Sequence, residues 1–243
     1  MSLIGRAGSF RWRKGSATPP LATLDQTLGI LCEPFLGTLR SMYRGDPQHG
    51  SDGGLHILDA NTRISPEQGM WIYQLCRDLK PQSTVEVGMA YGFSTMYFLA
   101  AIQANGLGSH LAVDPFQEEH WHGIGLEHAR LLSLPGSFRF VHETSVRALT
   151  HCASQNLRFD VIFIDGNHRF DDVLVDFTLA AQVCRKDGHI ILDDMWMPSI
   201  RRAVAFIRAN RLDFTEVATP IGHIAVFQKT GDDRREWNHY LDF

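Results

Sequence analysis

Apolar positions recur every three or four residues over the segment 21–80, a spacing that is typical of helices with one buried face. Pro34 should break or kink the first helix because proline has no backbone N–H to donate. Ser65 and Pro66 fit the N-cap and first position of a later helix that runs to about Leu79. We therefore predict an N-terminal helical cap over residues 21–80.

From residue 81 onward, short apolar runs alternate with helix-length segments. The runs are 84–87, 111–113, 138–141, 161–164 and 190–192, and the segments are 93–104, 121–132, 145–154, 171–184 and 199–210. Such alternation indicates a parallel sheet with helices on both faces. Two last strands, 214–218 and 224–228, are too close in sequence for a parallel crossover and should pair antiparallel. The prediction is a Rossmann-like, doubly wound α/β fold with seven strands, mostly parallel with an antiparallel last strand.

The two ends of the chain differ from this body. Residues 1–20 are basic and contain no acid, which predicts a disordered tail, with a transit peptide or a nucleic-acid arm as alternatives. The domain that contains the seven-stranded sheet should span residues 81–229. Residues 230–243 form a polar tail whose aromatic side chains are expected to dock on the body or on a partner.

Composition narrows the function classes. Lys and Arg number 23 and Asp and Glu 27, for a net charge of −4, so no bulk attraction to nucleic acid or an anionic membrane is expected. No apolar run approaches the ~20 residues that a membrane helix needs. The 4 cysteines form no C-x-x-C pair, and a reducing, cytoplasmic location is expected.

A glycine-containing turn follows the first strand of the sheet. Its candidate ligand-binding residues are Glu86, Gly88, Met89, Ala90, Tyr91, Gly92 and Ser94. Glycine lets a ligand approach the backbone closely, and the N-terminus of the next helix offers free N–H groups. A nucleotide is therefore the expected ligand. Asp114 ends the second strand, where an acid can accept hydrogen bonds from ribose hydroxyls. The chain has no P-loop, which disfavours ATP.

Acidic residues also end the fourth and fifth strands, which should be neighbours in the sheet. Asp165 follows one of these strands, and Asp193 and Asp194 follow the other. Three carboxylates gathered at one edge would repel one another unless a cation such as Mg²⁺ compensates their charge. The alternatives are that one acid caps the next helix or touches the cofactor only. His168, three residues after Asp165, is the candidate base because histidine titrates near neutrality.

These motifs resemble those of class I S-adenosylmethionine-dependent methyltransferases. The resemblance covers residues 81–228 and is strongest to the small-molecule group called methyltransferase domain 24, similar to catechol-type and macrocin-type O-methyltransferases. It rests on the turn 86–92, Val113-Asp114-Pro115-Phe116, Ile164-Asp165-Gly166-Asn167-His168 and Leu192-Asp193-Asp194. It implies that the turn holds the methionine moiety, that Asp114 holds the ribose, with Pro115 and Phe116 beside it, and that Thr144 and Ser145 lie near the adenine.

The function expected from this resemblance is methyl transfer from S-adenosylmethionine to a hydroxyl of a small molecule. Asp165 and His168 are the expected catalytic residues, Asp165 also contacts the cofactor, and Asp165, Asp193 and Asp194 are the expected ligands of Mg²⁺ or another divalent cation. A nicotinamide-dependent oxidoreductase and a non-catalytic binding module for the same cofactor are the alternatives. A homo-oligomer is compatible with the sequence.

Two aromatic segments leave further alternatives open. His120, Trp121 and His122 could line a substrate pocket, or the two histidines could form a His-x-His metal pair, but no third ligand is indicated nearby and surface or packing roles are favoured. The segment 195–197, Met-Trp-Met, could form an apolar pocket wall or pack under the next helix.

Overall fold

The computed structural model describes residues 21–243, so the predicted basic tail 1–20 lies outside the described residues. The cap contains α1 (Leu21–Leu28), α2 (Phe35–Arg44), a hairpin of β1 (Gln48–His49) and β2 (Leu55–His56), a 3-10 turn (Ala60–Thr62) and α3 (Pro66–Leu79). The body contains β3 (Ser83–Val87), α4 (Phe93–Asn105), β4 (Ser109–Val113), α5 (Ile124–Leu132), β5 (Phe138–Val141), α6 (Ser145–Ser154), β6 (Phe159–Ile164), α7 (Phe170–Val183), β7 (Cys184–Leu192), α8 (Pro198–Asn210), β8 (Phe214–Val217) and β9 (Ala225–Lys229). Within residues 21–243, no helix is long and apolar enough to cross a membrane.

Seven strands form one sheet in the order β5-β4-β3-β6-β7-β9-β8, and β9 alone among them runs against its neighbours. The predicted fold class is confirmed, including the antiparallel last strand. The strand order reverses between β3 and β6, and the carboxyl ends of these strands frame the crevice in which open α/β sheets bind ligands.

The largest differences from the sequence-based boundaries lie at three places, and the other ends of helices and strands from residue 81 onward agree within two residues. β7 has nine residues instead of three, because its polar first half extends the strand directly from the end of α7 at Cys184. Helix α5 begins at Ile124, not at residue 121, since Gly123 adopts a left-handed φ of 65° before it. The region predicted as a helical cap also contains the β1–β2 hairpin, whose strands of two residues each are too short to leave a pattern.

Helix α4 joins the cap to the sheet. Ten of its 13 residues are buried, and they include Phe93, Tyr97 and Phe98. A helix that is apolar all round must be covered on all sides, and here the sheet covers one side while α2 and α3 pack against the other. The cap and one face of the sheet therefore share one hydrophobic core, while the other face packs against α6, α7 and α8 in a second cluster.

The C-terminal tail lies against α7 and α8. The ring of Phe243 packs edge-on against Phe206 at 5.1 Å, and the Arg202 guanidinium lies over it at 4.3 Å. The Asn210 side chain donates to the Leu241 carbonyl at 2.9 Å and accepts from the Leu241 N–H at 2.8 Å. These contacts fix the end of the chain on the helical layer that covers β7.

The contact of α3 with α4 depends on Gly69, where an added Cβ would overlap the ring of Tyr97. Alanine has the higher helix propensity, by about 1 kcal/mol. We expect Gly69→Ala to destabilise the protein nevertheless, by about 1–3 kcal/mol, because the buried Tyr97 ring has no space to move into. Urea unfolding measures the difference.

Gly37→Ala in α2 is the matched control, because its Cβ would meet only the flexible end of the Glu33 side chain. It should leave the stability unchanged or raise it by up to about 1 kcal/mol. Equal effects of the two substitutions would show that the contact with Tyr97 does not limit this packing.

Candidate active site

A cavity of about 480 Å³ opens at the carboxyl ends of β3, β4 and β6, a size that suits a nucleoside derivative. Its lining includes eight predicted site residues: Gly88, Ala90, Asp114, Pro115, Phe116, Thr144, Ser145 and Asp165. It also includes Val87, Val113, Trp121, Val146, Gly166, Asn167, Asp172 and Asp176. The other predicted cofactor residues, Glu86, Met89, Tyr91, Gly92 and Ser94, lie behind this surface.

Glu86 is fully buried and holds the start of α4. Its carboxylate accepts hydrogen bonds from the Ser94 hydroxyl at 2.6 Å and from the Thr95 hydroxyl. His110 Nε2 lies 3.1 Å from Glu86 Oε1, and its other ring nitrogen is 2.8 Å from the Thr84 hydroxyl. The hydrogen bond between Glu86 and Ser94 thus links the end of β3 to the start of α4, on either side of the turn.

Gly88 allows the turn after β3 to touch the loop after β6. Its φ of 88° lies in the left-handed region, and a Cβ there would overlap the carbonyl oxygen of Asp165. Ala90, with a φ of 47°, follows in the same region. The close approach places the turn and Asp165 on one wall of the cavity.

Asp114 holds the turn by its backbone. Oδ2 accepts from the N–H groups of Met89 at 3.1 Å and Ala90 at 2.8 Å, and Oδ1 accepts from the N–H of Phe116 at 2.7 Å. The Gln117 side-chain N–H also donates to Oδ2 at 3.3 Å, so the acceptor position that remains lies on Oδ1 and suits one ribose hydroxyl better than two. Gln117 supports the same contact, because its side-chain N–H donates to the Ala90 carbonyl at 2.6 Å.

The lining of the cavity is acidic. It contains Asp114, Asp165, Asp172 and Asp176, and none of its residues, all of which lie in the described part of the chain, is a Lys, Arg or His. Burial raises the pKa of Asp176 to about 6, although a hydrogen bond with the Ser145 side chain acts against this shift. An anionic ligand would meet repulsion here, and a cationic one attraction.

Sequence reasoning did not identify Asp172 and Asp176. Both lie on α7, which begins five residues after Asp165. The available signal was the place of Asp176 among the buried residues Val173, Phe177 and Ala180, since an acid on an apolar helix face needs a reason to be there.

A second constellation joins the loops after β6 and β7. His168 Nε2 lies 2.7 Å from Asp194 Oδ2 and 3.5 Å from Asp165 Oδ1. Burial alone would lower the pKa of His168, but the hydrogen bonds and charges of the two carboxylates outweigh it and raise the pKa to about 10. Trp196 adds an indole N–H donor to Asp194 Oδ1 at 2.6 Å.

Asp193 is held differently from Asp165 and Asp194. Its carboxylate accepts from the Gln68 side chain at 2.8 Å and from the Asp194 N–H at 2.7 Å, and it is 2% exposed. The Gln68 side-chain oxygen lies 2.7 Å from His223 Nε2. Among the described residues here, Asp165, His168 and Asp194 bring possible ligand atoms within 4.8 Å of one another, a group that contains His168 in addition to two of the three predicted carboxylates.

Comparison with known proteins agrees with this geometry. Residues 85–195 match the model of a family described as a methyltransferase domain, Methyltransf_24. The matched segment contains the turn after β3, Asp114, Asp165, Asp193 and Asp194. The resemblance to class I methyltransferases that the motifs indicated is thereby confirmed.

Individual proteins are similar to this chain in sequence or in fold. The uncharacterized protein y4gI of Sinorhizobium fredii is 33% identical over 116 residues, which cover 45% of this chain and 12% of that protein. The SAH-bound methyltransferase PaMTH1 of Podospora anserina has a TM-score of 0.66 at 13% identity, over 86% of this chain and 93% of that chain. An O-methyltransferase from Bacillus cereus in complex with SAH has a TM-score of 0.64 at 18% identity, over 87% and 100% of the two chains. The chain spans 12% and 27% of the lengths of the two first curated relatives, and the structural likenesses concern the fold.

The aromatic segments of the methyltransferase domain separate in space. Trp121 lines the cavity and packs edge-on against Tyr91 at 5.1 Å, whereas His120 stacks on Phe116 at 4.7 Å. His122 points away from the cavity lining, toward the β1–β2 hairpin. In the segment 195–197, Met195, Trp196 and Met197 pack against the core cluster beneath α8, which matches the packing alternative.

The raised pKa of Asp176 predicts a pH-dependent stability. The pKa of Asp176 is about 6 in the folded protein, whereas its ordinary value is 3.8. The protonated carboxyl therefore contributes stability at low pH, and this contribution is lost as the pH rises through 6. Asp176→Asn cannot ionise, and we expect it to gain up to about 3 kcal/mol on the wild type between pH 4 and pH 7.

Urea unfolding at a series of pH values measures this difference. Asp171→Asn is the control, because Asp171 is exposed on the same helix. The prediction fails if the wild type and Asp176→Asn keep a constant difference in unfolding free energy over this range.

Proposed function

We propose that the protein binds S-adenosylmethionine in the cavity and transfers its methyl group to a hydroxyl oxygen of a small molecule. The observation that carries the proposal is the charge of the lining, with four aspartates and no basic residue. S-adenosylmethionine is a net cation, since its sulfonium and ammonium groups outnumber its carboxylate. Nicotinamide dinucleotides carry a pyrophosphate instead.

The size of the electrostatic effect decides between these cofactors. Two unit charges 4 Å apart interact by about 1 kcal/mol in water and about 4 kcal/mol near a protein surface. Proteins that bind a pyrophosphate supply a helix N-terminus or basic groups, which must overcome any nearby carboxylates. With four carboxylates in the lining, the charge favours the sulfonium cofactor and disfavours the oxidoreductase alternative.

We assign the parts of the cofactor as follows. The turn at Gly88 and Ala90 approaches the methionine moiety, and Asp114 accepts a hydrogen bond from the ribose while holding that turn. Thr144 and Ser145, at the start of α6, border the adenine. Asp176, next to the Ser145 side chain, is an additional acceptor for the amino edge of the purine.

The loops after β6 and β7 fit a divalent cation. Asp165, His168 and Asp194 each offer one ligand atom, and these atoms lie within 4.8 Å of one another. A cation bound there would supply Lewis-acid polarisation of an acceptor hydroxyl. Asp193 is engaged by Gln68, so we assign the carboxylate ligands to Asp165 and Asp194.

His168 can act on a proton only when it is neutral. Between the two carboxylates its pKa is about 10, so in that arrangement it is an imidazolium at neutral pH and provides the positive charge that the acids need. The role of base that the sequence assigned to His168 therefore requires a cation held by Asp165 and Asp194 without His168, because a nitrogen that ligates the cation has no lone pair for a proton. Alignment of the acceptor oxygen with the methyl group depends on the positions of the loops and does not require a neutral His168.

The first test concerns the cofactor. Asp114→Asn removes the charge that anchors the turn and the ribose, and we expect S-adenosylmethionine and S-adenosylhomocysteine to bind at least about tenfold more weakly. Glu118→Gln, an exposed acid four residues later, should bind as the wild type does. Isothermal titration calorimetry of both ligands and of NAD measures the affinities. Tighter binding of NAD than of either sulfur ligand would refute the cofactor assignment.

The second test concerns the cation and turnover. Formation of S-adenosylhomocysteine should depend on added Mg²⁺ or Mn²⁺, be suppressed by a chelator and be lost in Asp165→Asn, in a screen of phenols, catechols and aliphatic alcohols. Asp171→Asn should retain turnover. Asp165→Asn should still bind S-adenosylhomocysteine, which separates loss of the cation from loss of the cofactor.

Two outcomes would change this assignment. Turnover that does not change when a chelator is added would show that the methyltransferase needs no metal ion. His168 would then be the cation that compensates the charges of Asp165 and Asp194. Tight binding of S-adenosylmethionine without turnover on any acceptor in the screen would favour the non-catalytic module.

A further inference from the structure

A second group of metal-ligating side chains lies outside the cavity lining, where the β1–β2 hairpin meets the turn before α5. It consists of Asp52, His56 and His122. His56 Nε2 is 3.0 Å from both carboxylate oxygens of Asp52, and His122 Nδ1 is 3.7 Å from Asp52 Oδ2. The two imidazole rings stack with their centroids 3.8 Å apart.

The hairpin is built around these side chains. A Cβ at Gly54 would stand 2.8 Å from His56 Nε2, and a Cβ at Gly50 would stand 2.7 Å from Asp52 Oδ1. Glycine at both positions leaves the space that the donor atoms occupy. The Gly54 N–H also donates to Asp52 Oδ1 at 2.8 Å, which fixes the direction of the carboxylate.

The third donor comes from a distant part of the chain. The Ser51 N–H donates to the His122 carbonyl at 2.8 Å and joins the hairpin to the turn that ends in His122. The two strands of the hairpin pair at only two positions, and a hairpin of this size is at best marginally stable alone. A link between the hairpin and His122 would therefore stabilise both segments.

We propose that Asp52, His56 and His122 form a binding site for a divalent transition-metal ion of the zinc type, separate from the Asp165–Asp194 pair. Two imidazole nitrogens and one carboxylate are a common ligand set for zinc. Ligands bonded to one tetrahedral zinc ion at ~2.0–2.2 Å stand about 3.3 Å apart, and the observed separations of 3.0 and 3.7 Å lie on either side of this value.

The donor types also distinguish this site from the first. Imidazole nitrogen selects zinc and related ions over Mg²⁺, which prefers oxygen. The side chains of Asp52 and His122 are 51% and 42% exposed, so water can complete the coordination and an ion can enter without rearrangement of the core. The two rings are stacked at an interplanar angle of 8°, so they must rotate out of the stack to direct both nitrogens at one ion.

The experiment uses the full chain without an affinity tag, carrying Asp165→Asn and His168→Gln so that the other ligand set is weakened. Titration with Zn²⁺ by calorimetry should show one ion per chain, and Co²⁺ should give the visible absorption of a nitrogen- and oxygen-ligated ion. Adding Asp52→Asn or His122→Asn should weaken Zn²⁺ binding at least about tenfold. Asparagine preserves the turn bond at residue 52 and tolerates the φ of 53° at residue 122.

His120→Asn is the matched control, because His120 is an exposed histidine two residues away that belongs to neither ligand set. It should leave the affinity for Zn²⁺ unchanged. Thermal unfolding without metal should be the same in all these variants, and Zn²⁺ should raise the Tm only where the site is intact. Absence of Zn²⁺ binding in the background chain, or binding that survives His122→Asn, would overturn the proposal.

Discussion

The burial of carboxylates at one edge of the sheet is the constraint on which the rest of the site depends. A buried charge must be paired or hydrogen-bonded, or its pKa must change. The chain meets this requirement differently for each acid: Glu86 has hydroxyls and His110, Asp114 has backbone N–H groups, and Asp193 has Gln68. Asp176 is the case in which the pKa changes instead, which leaves acceptor capacity in the cavity for a cationic or hydrogen-bond-donating ligand.

Through Gln68 the cap takes part in this arrangement. Helix α3 begins at Pro66, and Gln68 is its third residue. The Gln68 side chain donates to the Asp193 carboxylate and lies within hydrogen-bond distance of His223. The packing of α3 on α4 through Gly69 and Tyr97 sets the depth of that helix, so a packing contact determines where a polar side chain meets the site. The cap thus holds the Asp193 side chain, next to Asp194 in the chain, and also covers α4.

Much of the fold was predictable because it depends on local patterns. The alternation of apolar runs and helices determined the sheet, and the glycines with Asp114 marked the turn. The pairing of Asp193 with Gln68 was not predictable, since 125 residues separate the two and neither has a local signal. The same holds for His122, whose partners Asp52 and His56 precede it by 66 residues or more and meet it only because Ser51 bonds to its carbonyl.

The sequence argument expects a cation to compensate the gathered acids, and the structure offers a second candidate for that cation beside two of them. An imidazolium between Asp165 and Asp194 compensates the same charge that Mg²⁺ would. The two solutions exclude each other at the shared oxygens, because a carboxylate oxygen that ligates a metal ion cannot also stabilise a protonated His168 nearby at full strength. A metal ion held by Asp165 and Asp194 would therefore lower the pKa of His168, and an ion that also binds Nε2 would leave no lone pair there for a proton. His168 is a structural cation only when no metal ion occupies the acid pair.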